Sequence, residues 1–141
     1  MSTTRHAKTR WEGSLMDGAG QVTLDSSGIG TYDVSWPARA EEPNGKTSPE
    51  ELIAAAHSAC FSMALSHALA GAGNAPTSLD TRAEVDFTPG TGITAIRLSV
   101  VGVVDGLTEE QFVEAAEGAK AGCPVSQALS AVPISLTASL G

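Results

Sequence analysis

Apolar and polar residues alternate where this chain begins. From His6 to Glu12, Ala7, Thr9 and Trp11 fall on one side and Lys8, Arg10 and Glu12 on the other, the period-two pattern of a half-buried strand. Gly18 and Gly20 mark a turn. Val22 and Leu24 then carry a second short strand, and Ile29, Tyr32, Val34 and Trp36 a third, so an antiparallel meander is expected over residues 5–36. Pro37 to Thr47 reads as a polar loop. Its Gly45-Lys46-Thr47 is no phosphate loop, because Ala40 stands where that motif needs its first glycine.

The period changes at Ser48. Ser48 can cap a helix, Pro49 suits its first turn, and Glu51 stands three residues on, as a capping box requires. A long helix over 49–71 is predicted, with Gly71 as its stop. Beyond it, Leu79, Ala83, Val85 and Phe87 alternate with Asp80, Arg82, Glu84 and Asp86, Pro89 to Gly92 turns the chain, and Ile96, Leu98, Val100 and Val104 form the returning arm of a hairpin. Thr108 with Gln111 caps another helix, whose apolar stripe is Phe112, Ala115, Ala116 and Ala119. Cys123-Pro124 opens a short helix through about Ala131, and Ile134, Leu136, Ala138 and Leu140 close on a strand. The order is α+β, not the regular alternation of a doubly wound sheet. A single domain is expected, with a meander at 5–36, a long helix at 49–71, and a hairpin, helices and strand at 78–140.

The long helix is unusual because Leu52 to Gly71 contains no Asp, Glu, Lys or Arg. Such a run is formally a membrane-span candidate. Its alanines and serines, and the missing basic cluster after it, favour a buried helix instead. A helix apolar all round must be covered all round, and a second copy of the chain is a reasonable source of cover. Composition narrows the partners: 42% hydrophobic residues and a net charge of −8 fit a soluble protein and argue against nucleic acid. The N-terminal MSTTRHAKTRWEG has no apolar core of a signal peptide, so a cytoplasmic location is the expectation.

Two cysteines in a reducing compartment suit catalytic or redox use better than a static disulfide. Cys60 lies mid-helix, where the bland reading is a small buried hydrophobe. Cys123, just before Pro124, occupies an N-cap-like position that favours a thiolate. A redox pair and two unrelated thiols both remain open on these grounds. His57, one turn before Cys60, is either a base for it or a histidine satisfied in the core. His67 lies about 10 Å along the helix from Cys60, too far to share a metal, and no metal or cofactor is expected. Glu51 is a cap, Glu50 complements the helix dipole, and Arg39 is by default a solvated charge. A peroxide-reducing thiol, however, needs an ionised sulfur and a polarised leaving oxygen. A carboxylate-held arginine can supply both.

Ser48-Pro49-Glu50-Glu51-Leu52, Ala59-Cys60-Phe61-Ser62-Met63 and Cys123-Pro124-Val125-Ser126 together resemble the OsmC/Ohr family of thiol peroxidases. Trp11-Glu12-Gly13 and the Cys-Pro-Val-Ser form are similar to its osmotically inducible protein C branch. The resemblance implies antiparallel sheets around a long central helix in an intertwined homodimer. It also implies reduction of organic hydroperoxides, and of hydrogen peroxide to varying degrees, in oxidative or osmotic stress defence. It makes Cys60 the peroxidatic cysteine, Cys123 the resolving one, Glu50 the active-site glutamate and Arg39 the matching arginine. An external dithiol, lipoylated or thioredoxin-like, would reset the pair. Glu50 and Cys60 stand about 15 Å apart along one helix, so a composite site with the glutamate of the partner subunit is expected. The alternatives are a Cys60–His57 hydrolase or acyl transferase, and a non-enzymatic redox-sensing or binding dimer.

Overall fold

The alternation at the N-terminus is realised as three short strands, β1 (Lys8–Glu12), β2 (Ala19–Thr23) and β3 (Thr31–Val34), in an antiparallel sheet of that order. The computed structural model describes all residues 1–141, which divide into two compact units, Met1–Leu52 and Ile53–Gly141. The first unit departs from the sequence reading after β3. Trp36 does not extend that strand; it opens a helix, α1 (Trp36–Ala40), inside the segment expected to be loop. The cause is local. The Ser35 hydroxyl accepts the Ala38 N–H at 3.2 Å, and Pro37 sits in the first turn, where its missing N–H leaves nothing unpaired. The chain then returns to the sheet edge, with the Thr47 N–H donating to the Asp33 carbonyl at 3.1 Å.

Helix α2 (Pro49–Gly71) has the predicted limits, and the boundary between units falls in its first turn. By length and composition it is the one helix that could cross a membrane, a test that core helices also pass. In the second unit it buries one stripe, His57, Phe61, Leu65 and Leu69, at four-residue steps. Its Ala55, Ala56, Ala59 and Ala70 stay exposed, and Met63 is 72% exposed. The stripe packs in one core with Leu98 and Val100 of the hairpin and Phe112 and Ala116 of the next helix.

That hairpin is β4 (Ser78–Thr88) and β5 (Gly92–Val103), antiparallel with a register shift at Asp86/Phe87. Gly102 is required there, since a Cβ would lie 2.5 Å from the Phe112 ring. Helix α3 (Glu109–Gly122) starts with the full Thr108/Gln111 capping box. Helix α4 (Pro124–Ala128) is shorter than expected, ending three residues before Ala131. The last strand, β6 (Ile134–Leu140), pairs parallel to β5, from Ile96↔Ile134 to Gly102↔Leu140. The α+β class with two sheets and a long helix holds, but the second sheet is mixed where antiparallel pairing was expected. A connection through two helices returns the chain in the direction it left, which a tight turn cannot do.

Candidate active site

Cys123 ends α3 and caps α4, while Cys60 sits in the middle of α2 on the flank of the buried stripe. Both are free thiols, and their sulfurs approach to 3.0 Å. Cys123 is fully buried and Cys60 only partly so, which leaves Cys60 the accessible member. Closing the gap to a disulfide needs a movement of about 1 Å, given a bond of about 2.0 Å.

Two sulfurs this close titrate as a pair. Burial raises both thiols. At Cys123 it is outweighed by the hydrogen bond with Cys60, the Ser126 N–H and hydroxyl and the Val125 N–H, so its pKa is lowered overall. The sulfur closes no capping hydrogen bond of its own. At Cys60 burial, the bond to Cys123 and the charge there all raise the pKa, opposed only by the Val125 N–H. The two directions are opposite: proton loss is eased at Cys123 and resisted at Cys60.

His57, a candidate base for Cys60, is bonded elsewhere. Its Nε2 lies 2.7 Å from the Ser126 Oγ, both residues being buried. Burial lowers its pKa, so the neutral ring is favoured. Ser126 was visible in the sequence only as a flank of Cys123. Its signal is the spacing Cys123-x-x-Ser126, which puts Ser126 at the third position of the helix that Cys123 caps.

In the first unit, Arg39 stands in the last turn of α1 and Glu50 in the first turn of α2. The guanidinium is not a solvated charge: Nε donates to Oε1 at 3.0 Å and Oε2 at 3.2 Å, and Nη2 to Oε2 at 2.9 Å. The Glu50 side chain is 8% exposed and that of Arg39 31%, so one edge of the arginine faces outward. It borders a mainly apolar cleft of about 380 Å³, lined by Trp11, Leu15, Val22, Trp36 and Leu52 among others. Glu51 caps only by half: its N–H donates to the Ser48 Oγ at 3.1 Å, but its carboxylate accepts from the Thr47 hydroxyl at 2.6 Å, so the expected capping box does not close. No three His, Cys, Asp or Glu side chains gather in a metal-holding arrangement.

Residues 42–137 match the family model described as OsmC-like protein. The chain belongs to the OsmC family. It is 42% identical over 134 residues to the peroxiredoxin OsmC of Escherichia coli K12, covering 93% of each chain. Among solved structures, an organic hydroperoxide resistance protein from Elizabethkingia anophelis matches all of both chains at 26% identity and a TM-score of 0.74. An OsmC-like protein from Mycoplasma pneumoniae shares the fold, with a TM-score of 0.75 at 14% identity over 99% of each chain. Within this OsmC-family chain the four sequence-predicted residues thus form two pairs, Cys60 with Cys123 and Arg39 with Glu50.

Proposed function

We propose that this chain is a cysteine-based peroxidase that reduces organic hydroperoxides, with Cys60 as the attacking sulfur and Cys123 as the resolving one. The observation that carries the reading is the pair of free thiols 3.0 Å apart, one accessible and one buried. The names of the relatives, a peroxiredoxin and an organic hydroperoxide resistance protein, support it.

The chemistry runs in three steps. The Cys60 thiolate, formed when the shared proton rests on Cys123, attacks the distal peroxide oxygen. The O–O bond breaks, the leaving alkoxide takes a proton to become an alcohol, and Cys60 becomes a sulfenic acid. The Cys123 thiolate then attacks the Cys60 sulfur and expels hydroxide, which takes a proton to become water; the resulting disulfide stops further oxidation. An external dithiol resets the pair by exchange, itself becoming a disulfide. A reducing cytoplasm would supply it.

Arg39, oriented by Glu50, is the group suited to polarise the peroxide, and the apolar cleft beside it suits an alkyl or aryl tail. Glu50 and Cys60 are about 15 Å apart along α2 at 1.5 Å per residue. The Arg39–Glu50 pair of one chain therefore serves the cysteines of a second copy, in a homodimer that also covers the exposed alanine face of α2. The hydrolase alternative is disfavoured because His57 is bonded to Ser126.

Steady-state turnover of an organic hydroperoxide with a dithiol tests the reading. Cys60→Ser should abolish turnover, and Cys123→Ser should consume about one equivalent of peroxide per chain and then over-oxidise. Undiminished turnover in Cys60→Ser would refute it, and a single oxidation without turnover in the unmodified protein would favour a redox sensor.

A further inference from the structure

The three steps leave one buried polar pair without a part. His57 is fully buried, its Nε2 is 2.7 Å from the Ser126 Oγ, and its Nδ1 is enclosed without any hydrogen-bond partner. A histidine serving only to fill space would be better replaced by an apolar ring with no orphaned atom. The arrangement has a consequence for where protons lie. A neutral imidazole carries one N–H. If Nδ1 carried it, a buried donor would be left without an acceptor, the rarer and costlier kind of orphan. With the proton on Nε2, the orphan is only a lone pair, and Nε2–H donates to the Ser126 oxygen. The Ser126 hydroxyl has a single proton. Since the ring does not need it, it is left for the Cys123 sulfur, at the N-cap of the helix whose third residue is Ser126.

We propose that His57 is a positioning residue for the resolving step: by donating Nε2–H to Ser126, it aims the Ser126 hydroxyl at the Cys123 sulfur and prepares Cys123 as the thiolate that attacks oxidised Cys60. The proposal rests on the peroxidase reading above. Burial keeps the His57 ring neutral, which the single-donor pattern requires. The Ser126 hydroxyl is among the groups that favour the Cys123 thiolate. In the step itself the Cys123 sulfur forms the S–S bond as the S–O bond of Cys60 breaks. Cys123 is oxidised, the sulfenic sulfur is reduced to the disulfide level, and the expelled hydroxide takes up the equivalent of the proton that Cys123 gave to solvent. A donor to Cys123 helps this step alone. The first step needs the thiolate on Cys60, and holding charge on Cys123 works slightly against it.

That opposition separates a positioning role from a merely structural one. Wild type, Ser126→Ala, His57→Phe and His57→Gln are each mixed with a hydroperoxide in a single turnover. Peroxide loss and disulfide formation are followed separately, and mass spectrometry gives the ratio of disulfide to Cys60 sulfinic acid. Ser126→Ala and His57→Phe should slow disulfide formation about tenfold, the effect of losing one hydrogen bond to a charged group. They should leave peroxide loss unslowed and shift the products toward sulfinic acid. His57→Gln, whose amide can donate from nearly the same place, should recover the wild-type ratio. In a Cys60→Ser background, Ser126→Ala should also lower the thiolate ultraviolet absorbance of Cys123 at neutral pH. Ser126→Ala removes one oxygen and keeps the test open if His57→Phe does not fold. Equal slowing of both phases, or an unchanged ratio in Ser126→Ala, would overturn the proposal while leaving the peroxidase reading intact. No disulfide in wild type would overturn the peroxidase reading itself.

Discussion

Cys60 and Cys123 are 63 residues apart in sequence and meet inside the unit Ile53–Gly141, whereas Arg39 and Glu50 are 11 apart and meet within Met1–Leu52. The sulfurs are brought together by packing. Phe61, Leu65 and Leu69 lock α2 into the core that also holds α3, and the end of α3 delivers Cys123. The ion pair is assembled by local signals instead: the Ser35 cap sets α1, and the Ser48 and Pro49 start sets α2. Sulfur–sulfur proximity therefore depends on the whole core, and guanidinium orientation on a few capping atoms. The same size of perturbation should give different symptoms in the two regions.

The largest effect should come from the core. Phe61→Ala removes a fully buried ring next to Cys60 and is expected to cost about 3–5 kcal/mol, measured by urea denaturation. Disulfide formation should fail in step with folding. Wild-type-like stability would break the claim that packing delivers the cysteines.

Glu50→Gln comes next. Freed from a charged partner, Arg39 should lose its orientation, and kcat/KM for the hydroperoxide should fall about 10²-fold, as for loss of one polarising donor. Slow oxidation should still remove both thiols of each chain, because the sulfur contact is made elsewhere. Mixing Glu50→Gln with Cys60→Ser chains should restore activity if the site is shared between copies. Random pairing would leave about one in four wild-type sites intact, since half the dimers would be mixed and each would hold one complete site. No recovery after verified exchange would place both pairs in one chain's site.

Matched caps sharpen the comparison further. Ser35→Ala and Thr108→Ala each remove one capping hydroxyl, worth about 1 kcal/mol. Only Ser35→Ala should also lower peroxide reduction, through Arg39. The smallest effect concerns pH. The His57 pKa is lowered by burial, so below the ordinary histidine value of about 6.5 the unfolded chain binds more protons than the folded one. Stability present above that value should fall as the pH drops toward the folded pKa. His57→Gln should show a shallower acid slope by thermal denaturation; an unchanged slope would contradict neutral burial of the ring.

Much of this was legible in the residue order. The Pro49–Gly71 helix announced itself through Ser48, Pro49 and Glu51, and the hairpin through strict alternation over Leu79–Phe87. Helix α1 was hidden because Tyr32, Val34 and Trp36 continue a strand-like alternation into a segment too short for a helical stripe to show. The parallel partner of β5 was hidden too, since the pattern of Ile134 to Leu140 is the same in either direction. At the site, Cys60, Cys123, Glu50 and Arg39 could be named from motif and chemistry. Ser126 could not, because its importance lies in a contact with His57 across 69 residues.

The most direct test is a count of free thiols before and after one equivalent of cumene hydroperoxide per chain. Two thiols per chain should disappear rapidly, with no covalently linked dimers on non-reducing electrophoresis, because Cys60 and Cys123 of one chain stand 3.0 Å apart. Loss of one thiol per chain, or a ladder of disulfide-linked chains, would contradict the internal pair on which the peroxidase reading stands.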